Sequence, residues 1–159
     1  MNDRPSLRLP SHAPALYECP FCAIASGRRE QERFVGFRDD AVIVIISLRK
    51  YPSNAGHALV APVQHYENIY DLPDQLLDRV NRVAKRVAVA MRQTFGCAGV
   101  TLRQNNEPAG NQDVWHYHLH VVPRHPGDSY GAARTQKAGD GERERYASLL
   151  REYLAANPS

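Results

Sequence analysis

The 159-residue sequence lacks any apolar run near the roughly 20 residues that a membrane-spanning helix requires. It also lacks an apolar stretch of signal-peptide length near its start, so residues 1–17 are expected to form a loose polar arm. Its 20 Lys and Arg against 17 Asp and Glu leave a net charge of +3, which is too small to indicate nucleic-acid binding. We therefore expect a cytoplasmic protein without membrane or nucleic-acid partners.

Cysteine is scarce and odd in number: there are three, and two of them form the motif Cys19-Pro-Phe-Cys22. Without a secretion signal the expected compartment is reducing, which disfavours a disulfide framework. A single CxxC motif is compatible with a redox pair, with half of a metal site, or with chance. Cys97 has no neighbouring cysteine in the sequence and fits a small buried apolar residue.

The composition, 43% hydrophobic and 23% charged residues, is that of one globular domain. Apolar residues at spacings of three and four predict a long amphipathic helix over 73–95, with a shorter helix at 142–155. Alternating or β-branched stretches predict five strands, at 32–38, 41–48, 57–62, 99–105 and 115–122. Strands with one long helix inserted among them indicate an α+β fold with an antiparallel sheet.

Histidine is concentrated in one segment, where three of the seven histidines fall within five residues. On a strand this alternation places His116, His118 and His120 on one face. A solvent-facing polar strand explains the pattern poorly, because Ser, Thr or Lys would serve as well. The spacing alone leaves two interpretations open, a metal site built from imidazoles and nucleophilic or acid–base catalysis.

The segment His116-Tyr117-His118-Leu119-His120-Val121-Val122 resembles the signature of the histidine-triad family, in which histidines alternate with apolar residues. The segment Asn54-Ala55-Gly56-His57-Ala58-Leu59-Val60-Ala61-Pro62 is similar to the strand of that family that contains Gly-His. Asn105-Asn106-Glu107-Pro108-Ala109-Gly110 and Gln112 precede the triad as they do in family members, and Pro123-Arg124 follows it. The resemblance covers residues 18–124.

The resemblance implies the histidine-triad fold, an α+β fold with a five-stranded antiparallel sheet and one long helix. It also implies a homodimer whose sheets join edge to edge. On this basis residues 18–125 form the histidine-triad domain, which the arm 1–17 precedes. Residues 126–159 lie outside the resemblance and form a polar segment followed by the C-terminal helix.

The resemblance further implies a nucleotidyl hydrolase or transferase that acts at the α-phosphorus of nucleoside phosphate esters, anhydrides or phosphoramidates. A purine nucleotide or nucleotide conjugate is the expected partner. His118 would attack phosphorus and carry the nucleotidyl group until water releases the nucleoside monophosphate. His120 would donate to a non-bridging oxygen or help the leaving group. Asn105 and Gln112 would donate hydrogen bonds where charge develops in the transition state.

A zinc-containing branch of the family implies partners for the CxxC motif. By this resemblance a structural Zn²⁺ is held by Cys19, Cys22, His65 and His116. Two thiolates and two imidazoles form a closed tetrahedral site, and they suit zinc better than magnesium or calcium. Such a site would keep His116 out of catalysis.

Three positions depart from the family pattern. Many members have Asp or Asn eight residues before the Gly-His histidine, to hold the ribose hydroxyls, and here that residue is Arg49. A guanidinium cannot accept a hydrogen bond from a diol but suits an extra phosphate or a carboxylate. Asp113 replaces a frequent Ser or Thr, Asn111 replaces a Gly, and all three residues are expected near the substrate. The base is expected to contact Phe21, Ile24, and Phe37 or Val44.

Two rival functions remain for the histidine row. In the first, the chain is a metalloenzyme or metal-binding protein, and the row itself holds the ion. In the second, it is a regulatory module that binds a nucleotide without turnover. Chelation separates the first rival from the nucleotidyl hydrolase, and replacement of His118 separates the second.

Overall fold

The structure is a computed structural model that describes residues 10–27 and 29–158. Its elements are, in chain order, α1 (Pro20–Ala25), α2 (Arg29–Glu32), β1 (Val35–Arg38), β2 (Val42–Ile46), β3 (Arg49–Lys50), β4 (Ala58–Pro62), α3 (Asp74–Thr94), β5 (Gly99–Gln104), a 3-10 turn (Pro108–Gly110), β6 (Leu119–Arg124), β7 (Gln136–Lys137) and α4 (Asp140–Ala156). Five strands form one antiparallel sheet in the order β1-β2-β4-β6-β5. The expected α+β fold with one long helix is confirmed.

The long helix α3 covers one face of this sheet. It runs over Asp74–Thr94, close to the predicted 73–95. Its buried residues follow the spacing of three and four, and they pack against alternate residues of β2 in one core cluster, which includes Val80, Val83, Val87, Val42, Val44 and Ile46. Burying each such side chain stabilises the fold by about 1.5–3 kcal/mol. The polar positions of α3 remain outside this cluster.

The C-terminal helix α4 packs on the same face, beside α3. Leu150 and Leu154 belong to the same core cluster. Gly36 in β1 permits this approach, because a Cβ there would lie 3.0 Å from two carbon atoms of Leu150. The helix begins at Asp140, two residues before the predicted start at 142. The division into an arm, a domain and a C-terminal region stays a prediction, although α4 shares the core of the domain.

The opposite face of the sheet is only partly covered. Ile43 and Ile45 of β2 point to this face and form a second, smaller cluster with Phe21 of α1 and with Phe34. Strand β2 is therefore buried on both faces, as its continuous β-branched sequence predicts. No long helix among the described residues covers the rest of this face, which leaves room for a cleft.

The histidine segment is a strand only in its second half. The sequence predicts a strand over 115–122 that Pro123 ends, but β6 begins at Leu119 and continues through Pro123 to Arg124. Pro123 pairs with β5, whereas β4 pairs with β6 only as far as Val121. The missing N–H of Pro123 therefore removes no hydrogen bond to β4. Residues 115 and 116 lie in a bend, and residues 117 and 118 precede β6 outside its ladder.

Segments near both ends of the described part of the chain contact the sheet domain. Strand β7 returns to pair with β3, and this places the C-terminal segment beside the open face. In the predicted arm 1–17, residues 1–9 lie outside the described part of the chain. Beyond them, Ser11 and His12 donate hydrogen bonds to the Glu67 carboxylate, and the Trp115 N–H donates to the Tyr17 hydroxyl. Within the described residues, no helix combines the length and apolarity needed to cross a bilayer.

Candidate active site and metal centre

The tautomer of His118 is fixed by its own backbone neighbourhood. Its Nδ1 lies 2.7 Å from the carbonyl oxygen of His116, which can only accept, so Nδ1 carries the proton. The lone pair is then on Nε2, and the ring lines the cleft on the open face. Burial lowers the pKa of His118, and the Arg103 guanidinium lowers it further, while the His116 carbonyl and Asp113 raise it. His118 is thus a neutral imidazole with a free Nε2.

A chain of hydrogen bonds through His57 orients His120. His57 donates from Nδ1 to the carbonyl oxygen of Arg49 over 3.1 Å, which leaves its Nε2 to accept from Nδ1 of His120 over 2.9 Å. Nε2 of His120 then holds a lone pair, and this atom is buried without a partner among the described residues. Burial lowers the pKa of His57 to about 4 and also lowers the pKa of His120. His120 can accept a proton at Nε2, and a donor role requires that it first gain one.

His57 and Arg103 are residues of this site that sequence reasoning missed. His57 has no predicted role, although Gly56-His57 lies in the segment that resembles the family. The reason is topological, since β4 and β6 are adjacent in the sheet but 56 residues of chain lie between Pro62 and Leu119. The Gly-His pair in the segment that resembles the family is the one local signal for His57, and it does not indicate the contact with His120.

The cleft in front of His118 has a volume of about 900 Å³. One wall is apolar and is built from Phe21, Ile24, Ile45 and Leu59. The centroids of the Phe21 and His118 rings are 5.2 Å apart, so this wall adjoins the His118 imidazole. Apolar walls with a few convergent polar groups are typical of small-molecule sites.

Of the residues expected near the substrate, Phe21, Ile24, Arg49 and Asp113 line the cleft. Phe37 and Val44 do not, because both pack on the helix-covered face of the sheet. The expectation that one of them contacts the base is wrong, since alternation along a strand sends neighbouring side chains to opposite faces.

Arg49 and Asp113, the two charged residues among those expected near the substrate, lie in different surroundings. The Arg49 guanidinium donates to the Thr135 hydroxyl over 3.1 Å and to the Thr135 carbonyl over 3.2 Å. It therefore links β3 to the C-terminal segment. The Asp113 side chain is 73% exposed, and its Oδ1 lies 3.9 Å from Nε2 of His118. A carboxylate thus stands at the mouth of the cleft beside the free ring nitrogen.

The remaining predicted site residues hold the loop between β5 and the histidines. The Gln112 amide accepts from the Glu107 N–H over 2.7 Å and donates to backbone carbonyls, including that of Val114 over 3.0 Å. Asn105 donates to the carbonyl of Asn111, whose φ of 63° is the left-handed conformation that Asn adopts more readily than most residues. Asn105, Asn111 and Gln112 do not line the cleft, and their roles towards substrate stay predictions.

A separate cluster of ligand-type side chains lies behind the histidine row. One ligand atom from each of Cys19, Cys22, His65 and His116 lies within 4.8 Å of the other three. Sγ of Cys19 is 3.3 Å from Nδ1 of His116, and Sγ of Cys22 is 3.3 Å from Nδ1 of His65. In tetrahedral zinc sites the ligands lie about 2.0–2.3 Å from the ion, which is compatible with these separations. The four residues fit a closed zinc site.

The tautomer of His116 supports the same conclusion. Its Nε2 lies 2.9 Å from the carbonyl oxygen of Pro62, so this nitrogen carries the proton and Nδ1 is free to bind a metal. Burial lowers the pKa of His116 to about 4, and burial together with Cys19 raises the pKa of Cys22 to about 11. A divalent cation has the opposite effect on a thiol, because it stabilises the thiolate.

The profile of the HIT domain, the histidine-triad family, matches residues 28–127. The chain belongs to the HIT family. Protein hit of Bacillus subtilis (strain 168) is 35% identical over 124 residues, which cover 77% of this chain and 82% of that protein. A Zn-bound histidine triad family protein from Mycobacterium smegmatis has a similar crystal structure, with a TM-score of 0.74, 34% identity, and coverage of 87% and 94% of the two chains.

A second HIT structure, a hypothetical histidine triad nucleotide-binding protein from Sulfolobus tokodaii, superposes with a TM-score of 0.73 at 25% identity. It covers 87% of this chain and 93% of that one. The family and fold that the sequence resemblance implies are therefore confirmed. The likeness extends beyond the triad itself, since these relatives match most of the length of the chain.

Proposed function

We propose that this HIT protein is a nucleotidyl hydrolase or transferase that uses a covalent intermediate on His118. The observation that supports this most strongly is the hydrogen bond from Nδ1 of His118 to the His116 carbonyl. It leaves the nucleophilic lone pair on Nε2, in a buried ring at the wall of a cleft large enough for a nucleotide. A neutral imidazole with a fixed tautomer is the form that nucleophilic catalysis requires.

In the first step Nε2 of His118 forms a bond to the α-phosphorus, and the leaving group departs with the electron pair of the bond that breaks. The ring becomes positively charged, and two groups offset this charge. The His116 carbonyl accepts from Nδ1–H, and the Asp113 carboxylate lies 3.9 Å from Nε2. The product of this step is a nucleotidyl phosphoramidate on His118.

In the second step water attacks phosphorus, and the phosphorus–nitrogen bond to His118 breaks. Nε2 of His120 holds an unshared lone pair beside His118, with 4.7 Å between the ring centroids, and it accepts the proton of the attacking water. The hydrogen bond from Nδ1 of His120 to His57 keeps that lone pair directed at the site. Hydrolysis releases the nucleoside monophosphate and frees His118, and His120 becomes neutral again when it passes its extra proton to solvent; an acceptor other than water gives transfer.

A purine nucleotide or nucleotide conjugate is the substrate that the cleft fits best. The apolar wall at Phe21, Ile24, Ile45 and Leu59 suits a flat aromatic base next to the histidines. The name of the Sulfolobus tokodaii relative, a nucleotide-binding protein, supports the same substrate class.

The second part of the proposal is that Cys19, Cys22, His65 and His116 hold a structural Zn²⁺. When bound, zinc would supply a rigid closed centre rather than chemistry, because four protein ligands leave no open position. The cluster joins α1 to the residue whose carbonyl fixes the His118 tautomer. The Zn-bound state of the Mycobacterium smegmatis relative supports zinc as the ion.

Intact-mass measurement after incubation with adenylylated and guanylylated compounds tests the nucleotidyl proposal. We expect the wild-type protein to gain the mass of one nucleoside monophosphate during turnover, and His118→Ala to gain none. An adduct of equal yield on the variant would contradict the assignment of the nucleophile. A protein that binds nucleoside monophosphate but never turns over in either form would be the regulatory module instead.

Chelation separates the proposal from metal catalysis by the histidine row. If the row held a catalytic ion, chelator would leave a folded but inactive protein that added metal restores. We expect instead that activity is lost only together with thermal stability. This holds because the four ligand-type residues that cluster are distinct from His118 and His120.

An edge-to-edge homodimer and a cytoplasmic location remain parts of the proposal. Among the described residues β1 and β5 are the outer strands of the sheet, and β5 exposes half of the Leu102 side chain. Light scattering at micromolar concentration measures the oligomeric state, and a mass of one chain would exclude the dimer. Cell fractionation measures the location.

A further inference from the structure

Arg103 on β5 stands directly opposite His120 on β6 in the register of the sheet. Residues paired across antiparallel strands point to the same face. The Arg103 side chain therefore reaches the face that carries the histidines, and it lines the same cleft as His118. A permanent positive charge thus lies next to the reactive imidazoles, where it lowers the pKa of His57, His118 and His120.

The Arg103 guanidinium has almost no protein partner. Its Nε is buried without a hydrogen-bond partner, and its one side-chain hydrogen bond among the described residues is a long one, 3.5 Å from Nη1 to the Tyr51 hydroxyl. Its Cζ also lies 6.0 Å from the centroid of the Tyr130 ring, which is a weak contact that satisfies no N–H group. No carboxylate of the described residues lies within 4.0 Å of it. A buried donor without a partner is costly, which indicates that a ligand completes the site.

The nearby Arg124, unlike Arg103, has protein partners for its guanidinium. It lies four residues beyond His120 on β6, and its guanidinium donates to the Asp128 carboxylate over 2.7 and 2.8 Å and to Thr101 over 2.9 Å. Arg124 is therefore paired and structural. Arg103 lies on β5, the strand paired with β6, but its guanidinium has no carboxylate partner among the described residues and remains available to the cleft.

The order of the strands indicates which part of a substrate Arg103 would meet. The apolar wall includes Ile45 of β2 and Leu59 of β4, His118 leads into β6, and Arg103 is on β5, the next strand and the edge of the sheet. A nucleotide with its base on the apolar wall and its α-phosphorus at His118 extends the rest of the molecule towards β5. That remaining part is the leaving group.

We propose that Arg103 forms an anion-binding subsite over β5 that holds the leaving group of the substrate. The site then prefers nucleotide conjugates whose leaving group carries a phosphate or a carboxylate over those that release a neutral amine. The planar guanidinium matches either anion. This inference rests on the proposed nucleotidyl function, and it concerns substrate selection rather than the covalent step.

The test compares kcat/KM for three adenylyl substrates that differ only in the leaving group. Diadenosine triphosphate releases ADP, whose phosphates are anionic. Adenosine phosphoramidate N-linked to glycine releases glycine, which carries a carboxylate, and unsubstituted adenosine phosphoramidate releases ammonia. We expect Arg103→Met to lower kcat/KM for the triphosphate about 10- to 100-fold, because a charge-assisted hydrogen bond is lost. The loss with the unsubstituted phosphoramidate is expected to be smaller, about threefold or less.

Two further variants control this comparison. Arg103→Lys keeps the positive charge but lacks the planar guanidinium, so relative to Arg103→Met it is expected to recover part of the activity with the triphosphate. Arg82→Met removes an exposed arginine of α3 outside the cleft and is the matched control for a loss of charge. A loss confined to the triphosphate supports phosphate as the bound anion, and an equal loss with the glycine conjugate supports any anion. Equal losses on all three substrates, or none, would overturn the subsite.

A binding measurement keeps the inference testable if no substrate turns over. Calorimetric titration with inorganic triphosphate, which has no nucleoside, probes the subsite alone. We expect wild-type protein and Arg82→Met to bind it equally, and Arg103→Met to bind at least about tenfold more weakly. Equal affinity in all three proteins would refute the subsite. Absence of turnover with this binding pattern intact would instead count against the nucleotidyl proposal.

Discussion

Replacing Gly56 by alanine tests how tightly the site is built onto the core. Gly56 precedes His57 and has a φ of +84°, which L-residues other than glycine rarely adopt. A Cβ at this position would lie 2.7 Å from Cε2 of Phe95 and 2.8 Å from Cδ1 of Tyr146. These two rings pack edge to face with 4.6 Å between centroids, so both are held in place. Glycine is thus required here both by the positive φ and by the lack of room for a Cβ atom.

The expected loss of stability is the sum of two costs, that of a positive φ for alanine and that of the added Cβ in a packed region. A left-handed alanine costs about 1–2 kcal/mol, and forcing extra volume into a packed region costs about 1–3 kcal/mol. Gly56→Ala is therefore expected to lower the free energy of unfolding by about 2–5 kcal/mol. Gly96→Ala is the matched control, because Gly96 has a φ of +67° but no atom within 4 Å of its added Cβ. That variant is expected to lose only the backbone contribution of about 1–2 kcal/mol.

Urea denaturation of both variants measures the difference, with the slope of each transition used to check that the unfolded state is unchanged. We also expect Gly56→Ala to lower kcat, because the displaced backbone carries His57 and, through it, His120. Gly96→Ala should leave kcat unchanged. If the two variants lost equal stability, the steric argument would be refuted, and the packing of Phe95 and Tyr146 against Gly56 would carry no energetic weight.

Three further predictions concern the metal centre, the cleft mouth and the surface. Cys22→Ser is expected to lower the bound zinc, measured by atomic emission, and to lower Tm, whereas zinc retained at one ion per chain would contradict the ligand set. Asp113→Ser removes an anion beside His118 and should lower KM for a triphosphate substrate about two- to fivefold at low salt; a raised KM would count against repulsion. For Asp39, burial raises the pKa, but hydrogen bonds from Arg79 and two backbone N–H groups lower it more, so the folded pKa lies below the unfolded value of 3.8. The ionised Asp39 carboxylate therefore stabilises the fold fully above pH 3.8, and this stabilisation is lost as the pH falls through the folded pKa. Asp39→Asn lacks this titrating group, so below pH 4 its urea midpoint should fall less steeply than that of wild type.

The sequence predicted those features whose signal is local. The spacing of apolar residues located α3 to within one residue at each end, because a helix buries one face regardless of its partners. The triad resemblance identified the family, and it grouped Cys19, Cys22, His65 and His116, which the structure brings together. Here the pattern of residue types was sufficient, since thiols and imidazoles have few other reasons to occur in this combination.

The features that sequence reasoning missed depend on which strands are neighbours. Arg103 is an ordinary charged residue in the sequence, and only the β5–β6 register places it opposite His120. His57 acquires its contact with His120 because β4 lies beside β6. Similarly, Thr135 reaches Arg49 because β7 pairs with β3. Register and strand order are set by packing over the whole sheet, so a local reading of the chain does not contain them.

His116 connects the cluster of four ligand-type side chains to His118. The side chain of His116 belongs to the ligand cluster, while its backbone carbonyl accepts the proton of Nδ1 of His118. Because the His116 ring is also held at Nε2 by the Pro62 carbonyl, both ends of the ring are constrained, and this limits the rotation of the adjoining peptide. A well-placed carbonyl keeps the lone pair of His118 on Nε2. In the proposed mechanism His116 therefore takes part through position alone, because its ring belongs to the ligand cluster and its carbonyl contacts His118.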